Sequence, residues 1–103
     1  MEKVKILWSR DALKDLDEAY EYVSKESPQS AINIITRIEI LFESLASHSE
    51  LGRVGRVKGM RELVVTGTPF ILPYLIDRES KRMKIFILGV RHTSRRWPSS
   101  FDE

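Results

Sequence analysis

Hydrophobic and polar positions alternate with a period of two at the start of the chain and then switch to a helical period. In VKILW, Val4, Ile6 and Trp8 fall on one side and Lys5 and Leu7 on the other, which predicts a short, half-buried strand. From Ser9, placed to cap a helix, Ala12, Leu13, Leu16, Ala19, Tyr20 and Val23 recur every three or four residues. Asp11 and Asp15 sit near the end of that segment where a helix dipole favours anions, and the pattern predicts a helix to about Lys25. Ser27-Pro28 restarts the period with a capping serine and a proline at the first helical position, where its missing N–H costs nothing. Ala31, Ile34, Ile35, Ile38, Leu41, Phe42 and Leu45 then form one stripe, from which Ile32 and Ile40 depart, as if this helix covered a second face. The break between the helices is so short that an antiparallel helical hairpin is expected.

Residues 47–59, SHSELGRVGRVKG, hold three glycines and no useful period, and read as a loop. Three strands are predicted after it: MRELVVT, FILPYLID beyond the turn residues Thr66 to Pro69, and MKIFILGV beyond DRESKR. Such short links require antiparallel hairpins. Pro73 cannot donate to a ladder and predicts an edge or a bulge within FILPYLID. MKIFILGV is apolar on both sides, as a central strand would be. The order β-α-α-β-β-β predicts an α+β fold, a helical hairpin packed on one face of a mainly antiparallel sheet, as a single domain over residues 1–103.

Composition narrows the chemistry. The chain has no cysteine and only two histidines, His48 and His92, so no disulfide, thiolate metal site, other metal centre or cofactor is expected. No apolar run approaches the roughly 20 residues of a membrane span, and MEKVKILWSR meets charge too soon for a secretory leader; a cytoplasmic protein without a membrane partner is expected. Charge is distributed unevenly: residues 1–50 carry 6 Lys/Arg and 10 Asp/Glu, and residues 51–103 carry 11 and 5. The second half should therefore build a basic surface suited to a polyanion or an acidic protein.

Candidate site residues cluster there. Arg53, Arg56 and Lys58 lie in the glycine loop, Arg61 opens the next strand, and GVRHTSRRWP supplies Arg91, His92, Arg95, Arg96 and Trp97. If strand ends and loop share one rim, their guanidinium groups could grip phosphate, each through two parallel hydrogen bonds. Arginines cannot transfer protons, so His92 is the candidate for that role, with water or a tyrosine. The plainer readings are a salt bridge from Arg91 to Asp77 or Glu62, a charged strand edge at Arg61, His48 as a helix C-cap, packing by Tyr20, Tyr22 and Tyr74, and Trp97-Pro98 as a plug at the core edge rather than a base-stacking platform. Walker, dinucleotide-binding and nucleophile-elbow motifs are lacking.

The helix WSRDALKDLDEAYEYV, SPQSA opening the second helix, LGRVGRVKGMRELVV, GTPFILPY and ILGVRHTSRRWP, in this order and spacing, resemble the RelE/ParE superfamily of bacterial type II toxins, also called plasmid stabilisation proteins. The resemblance implies a growth-inhibiting toxin in a hetero-oligomer with a cognate antitoxin. It also implies one of two targets: DNA gyrase, poisoned by ParE-like members, or mRNA on the ribosome, cut by RelE-like members. Arg61 and Arg91 match the arginine positions of the RelE-like set, but only Lys58 remains of its lysines, and Trp97 lies about where its C-terminal tyrosine would be. An indole transfers no proton near neutral pH, so the expectation is a ParE-like gyrase inhibitor. The alternatives are a RelE-like mRNA interferase using Arg61, Arg91 and His92, and a noncatalytic nucleic-acid-binding module.

Overall fold

Period-two stretches form strands and 3.6-period stretches form helices over residues 4–79 and 81–93, the part of the chain that the computed structural model describes. The elements run β1 (Lys5–Trp8), α1 (Arg10–Glu26), α2 (Pro28–Ser47), β2 (Arg53–Val54), β3 (Arg61–Val64), β4 (Phe70–Asp77), β5 (Lys84–Ile87) and β6 (Arg91–His92). Arg95, Arg96 and Trp97 lie outside the described residues.

Capping sets the helix ends. The Ser9 hydroxyl accepts a hydrogen bond from the Ala12 N–H at 3.0 Å. Ser27 serves both helices: its N–H donates to the Val23 carbonyl and closes α1, while its hydroxyl accepts from the Ser30 N–H and opens α2. With one residue shared between two helices, the chain must turn back on itself at once.

The sheet order is β1-β5-β4-β3-β2, with β6 paired to β4 beyond the end of β5. Pairing is antiparallel except between β1 and β5, which are parallel, with Ile6 opposite Ile85 and Trp8 opposite Ile87. The helical hairpin and the strands between β1 and β5 provide a connection long enough for that crossover. Leu63, Leu72, Tyr74, Ile85 and Ile87 pack with Ala12, Ile38 and Leu45 of the helices in one buried cluster. The Trp8 and Phe42 rings close one side of it at 5.4 Å.

Pro73 sits inside β4, between two neighbours, yet leaves no broken ladder. Its carbonyl accepts from the Leu88 N–H, so the side that lacks a donor faces residues 88–90, where β5 has ended and β6 has not begun. The irregularity that the proline predicts is this interruption of its partner strand. Two features escape the sequence pattern: the two-residue β2 within the glycine loop, and the division of the last strand into β5 and β6.

Leu45 is fully buried between the helices and the sheet. Leu45→Ala is expected to lower unfolding free energy by about 2–5 kcal/mol through lost transfer energy and a residual cavity. Chemical denaturation measures it, and a loss well under 1 kcal/mol would show that this helix is not packed as described.

Candidate functional site

A buried carboxylate organises the glycine loop. Glu62, in the middle of β3, is only 3% exposed and pairs across the sheet with Arg53 on one side and Pro73 on the other. Its Oε1 accepts from Arg53 Nε at 3.2 Å and Nη2 at 3.0 Å. Its Oε2 accepts from the Arg56 backbone N–H at 3.0 Å and from Arg56 Nε at 3.1 Å. Burial alone would raise the Glu62 pKa. The donors from Arg56 and Arg53 outweigh that effect and hold the carboxyl below its ordinary value of 4.5. Both arginines remain about half exposed, so each has one edge on the carboxylate and another toward solvent.

Arg61 is held differently. Its Nε donates to the Gly52 carbonyl at 2.9 Å and its Nη2 to the Glu50 carbonyl at 3.3 Å. The Tyr74 hydroxyl completes the clasp, donating to the Ser49 carbonyl at 2.9 Å and accepting from the Gly52 N–H at 2.8 Å. Burial pushes the Tyr74 pKa up, which keeps the phenol protonated as a donor. A Cβ at Gly52 would lie 2.5 Å from the Tyr74 ring and 2.8 Å from the Glu62 carbonyl oxygen, so only glycine lets the loop lie this close to the sheet. Lys58 is exposed on the same loop.

Arg91 and His92 belong to a second place. The Val90 N–H donates to Asp15 Oδ2 of α1 at 3.1 Å, and Arg91 Nη1 lies 3.4 Å from the same oxygen. The His92 ring stacks edge-on against Phe70, with centroids 5.6 Å apart. Arg91 and His92 line a cleft of about 510 Å³ between α1 and β6, together with Asp15, Glu18, Glu21, Tyr22 and Lys25. Its wall therefore carries three carboxylates against the two fixed cations Lys25 and Arg91.

The expected single rim is thus corrected to two groups. Arg53, Arg56 and Arg61 gather on the glycine loop and β3, whereas Arg91 and His92 do not join them. Arg61 lies opposite Tyr74 on one flank of β4, and Arg91 opposite Ile71 on the other. Two strand spacings and three residues of rise put their backbones about 14 Å apart. The physical reason is direction: β3, β5 and β6 all run antiparallel to β4, so the beginning of β3 cannot share an end of the sheet with β6. The carboxylate beside Arg91 is Asp15, 76 residues away in sequence, and the Glu62 oxygens are taken up by Arg53 and Arg56. Gly52 is an organising residue that local patterns do not single out, while the sequence marks Asp15 only as a helix-dipole carboxylate, from which nothing in its spacing distinguishes it, and Glu62 only as a partner for Arg91. Among the described residues, no group of three or more histidine, aspartate or glutamate side chains could hold a metal ion, and no helix is long and apolar enough to cross a membrane.

Comparison with known proteins agrees with this architecture. The family profile described as the ParE toxin of type II toxin-antitoxin system, parDE, matches residues 6–97. The chain is 38% identical over 98 residues to the Y4kP protein of Sinorhizobium fredii, covering 95% of this chain and 97% of that protein. It is 31% identical over 90 residues to toxin RelE2 of Caulobacter vibrioides, covering 87% and 96%. Among solved structures, a chain of the chromosomal ParDE TA system from P. aeruginosa superposes with a TM-score of 0.72 at 26% identity, covering 89% of this chain and 98% of that one.

The Glu62 cluster makes a pH-dependent contribution to stability. Since the folded carboxyl binds its proton less tightly than the unfolded chain does, the contribution is full above pH 4.5 and is withdrawn as acid protonates the folded group. Glu62→Gln is expected to cost about 1–3 kcal/mol at neutral pH. The difference from wild type should shrink on acidification, and a difference that stays constant into the acid range would contradict the assignment.

Proposed function

Because the chain belongs to the ParE toxin family of type II toxin-antitoxin systems, we propose that it acts in the ParE-like manner, halting growth by binding and poisoning DNA gyrase. Its neutralising partner is a cognate antitoxin with which it forms a hetero-oligomer in the cytoplasm. The observation that carries the choice of target is the commitment of the guanidinium groups to the chain itself. Metal-free cleavage of RNA needs several cations converging on one phosphate and a proton-transfer group beside them. Here Arg53 and Arg56 hold Glu62, Arg61 holds two backbone carbonyls, and Arg91 lies against Asp15. Binding to a protein target makes no such demand on geometry, and the half-exposed outer edges of Arg53 and Arg56, with Lys58 beside them, supply a basic surface for it.

One observation favours the second reading, a ribosome-dependent mRNA interferase. His92, Arg91 and Tyr22 line the same cleft, which would put a proton-transfer group, a cation and a phenol within one cavity. Asp15, Glu18 and Glu21 line it too, and three carboxylates oppose the approach of a phosphate backbone. The gyrase reading is therefore preferred. A noncatalytic nucleic-acid-binding module meets the same electrostatic objection at the cleft.

The two targets separate in parallel assays. Purified protein is expected to block supercoiling by gyrase and to leave gyrase-dependent breaks in plasmid DNA, while mRNA in a translation reaction stays intact. Codon-spaced mRNA cleavage that disappears in Arg91→Ala and His92→Ala would overturn the proposal in favour of the interferase.

A further inference from the structure

Beyond its charges, the glycine loop offers a backbone edge that the proposed target contact does not use. β2 ends the sheet on its side, and among the described residues no strand lies beyond it. The Gly55 N–H donates to the Met60 carbonyl at 2.9 Å, and the register runs on from this pair to Val54 opposite Arg61 and Arg53 opposite Glu62. Bonded and non-bonded pairs alternate along an antiparallel ladder. Gly55 and Arg53 therefore turn their backbone groups toward β3, and Val54 turns its N–H and carbonyl away from the sheet. The Val54 side chain is 78% exposed, more than any other large hydrophobic side chain among the described residues.

Charge and chemistry together select what can lie there. A second copy of this edge would set Arg53 against the arginines of its own kind, which is the usual protection of an open strand. Nucleic acid makes poor use of the edge, because a carbonyl beside an N–H repels a phosphate and valine offers no ring for a base to stack on. An N–H and a carbonyl pointing the same way from one residue match another peptide backbone. Residues opposite each other in a sheet share a face, so Val54 shares one with Arg61, and Arg53 shares the other with Glu62. An added strand would lay one side chain beside Val54 and its two neighbours on the Glu62 face, where Arg53 and Arg56 have their outer edges. The pattern that fits is acidic, apolar, acidic. Glu62 and the Tyr74 clasp already hold the loop, so little ordering is left for a partner to impose.

We propose that the outer edge of β2 is where the antitoxin adds an extended acidic segment, pairing antiparallel with Val54 and setting carboxylates on the outer edges of Arg53 and Arg56. On the toxin reading, from which this proceeds, a segment held there covers the basic surface that the target needs and so neutralises the protein.

Fluorescence anisotropy with a labelled, blocked peptide carrying glutamate-valine-glutamate at its centre tests the edge. Wild-type protein is expected to bind it saturably, and to bind the glutamine-valine-glutamine counterpart at least about tenfold more weakly. Val54→Pro removes the outward N–H and leaves the bonds to β3 intact, since Val54 makes none of them. It should weaken binding by about tenfold or more while circular dichroism shows the fold unchanged. The same peptide methylated on its valine nitrogen should lose affinity for wild type to a similar extent, which keeps the test decisive if the proline disturbs the loop. Undetectable peptide binding, or binding indifferent to both backbone changes, overturns the strand addition, as does equal binding of a single-stranded oligonucleotide of the same charge. Co-expression with the product of the adjacent gene separates this from the toxin reading itself. Retention by wild type and loss from Val54→Pro is expected; retention by both overturns the edge while the toxin reading stands, and retention by neither overturns both.

Discussion

An ionised carboxylate buried in a β-sheet is costly unless donors surround it, and the loop of this protein is arranged around meeting that requirement at Glu62. Four hydrogen bonds from Arg53 and Arg56 reach its two oxygens, one of them from backbone. The carboxylate thereby fixes both arginine side chains and the path of residues 53–56 at once. Tyr74 and Arg61 fix the preceding stretch through Ser49, Glu50 and Gly52, so a segment with almost no regular structure is held at both ends. The basic surface of the C-terminal half rests on this internal arrangement as much as on its net charge.

The same requirement bears on function. A guanidinium with one edge on a carboxylate can still offer the other to a partner, but it is neither free to move nor fully available to a phosphate. This favours a rigid basic surface for docking over a catalytic grip. The two-group layout follows from strand direction alone. With β4 between β3 and the β5–β6 pair, and all of them antiparallel to it, the ends that carry Arg61 and Arg91 lie apart along the sheet. Asp15 then takes up the backbone of Val90 and the side chain of Arg91 and ties the last strand to α1.

Local physics made much of the fold legible in the sequence. Ser9, Ser27 and Pro28 marked helix boundaries because capping is decided within four residues, and the limits of β4 coincide with FILPYLID because the turn residues that bound an apolar run are local signals too. Pro73 announced an irregularity before its form could be known. The two-residue β2 was not legible, since two residues hold no period, and neither was the break after Ile87, which depends on a neighbouring strand. The candidate site was legible as a set of residues rather than as an arrangement. Arg53, Arg56 and Arg61 do come together, but their shared partners are set by pairing between β2 and β3, and the Asp15–Arg91 contact joins residues 76 apart. Likeness to the ParE toxin family extends over residues 6–97 and so includes both groups.

The central claim is that the loop arginines are held by internal acceptors, and nuclear magnetic resonance of the arginine Nε–H groups tests it most directly. The Nε–H of Arg53, Arg56 and Arg61 each donate within the chain. The account predicts three slowly exchanging signals at neutral pH, two of which, Arg53 and Arg56, lose protection when acid protonates Glu62 while Arg61 keeps its own. Exchange of all three at the rate of a solvent-exposed arginine would contradict it.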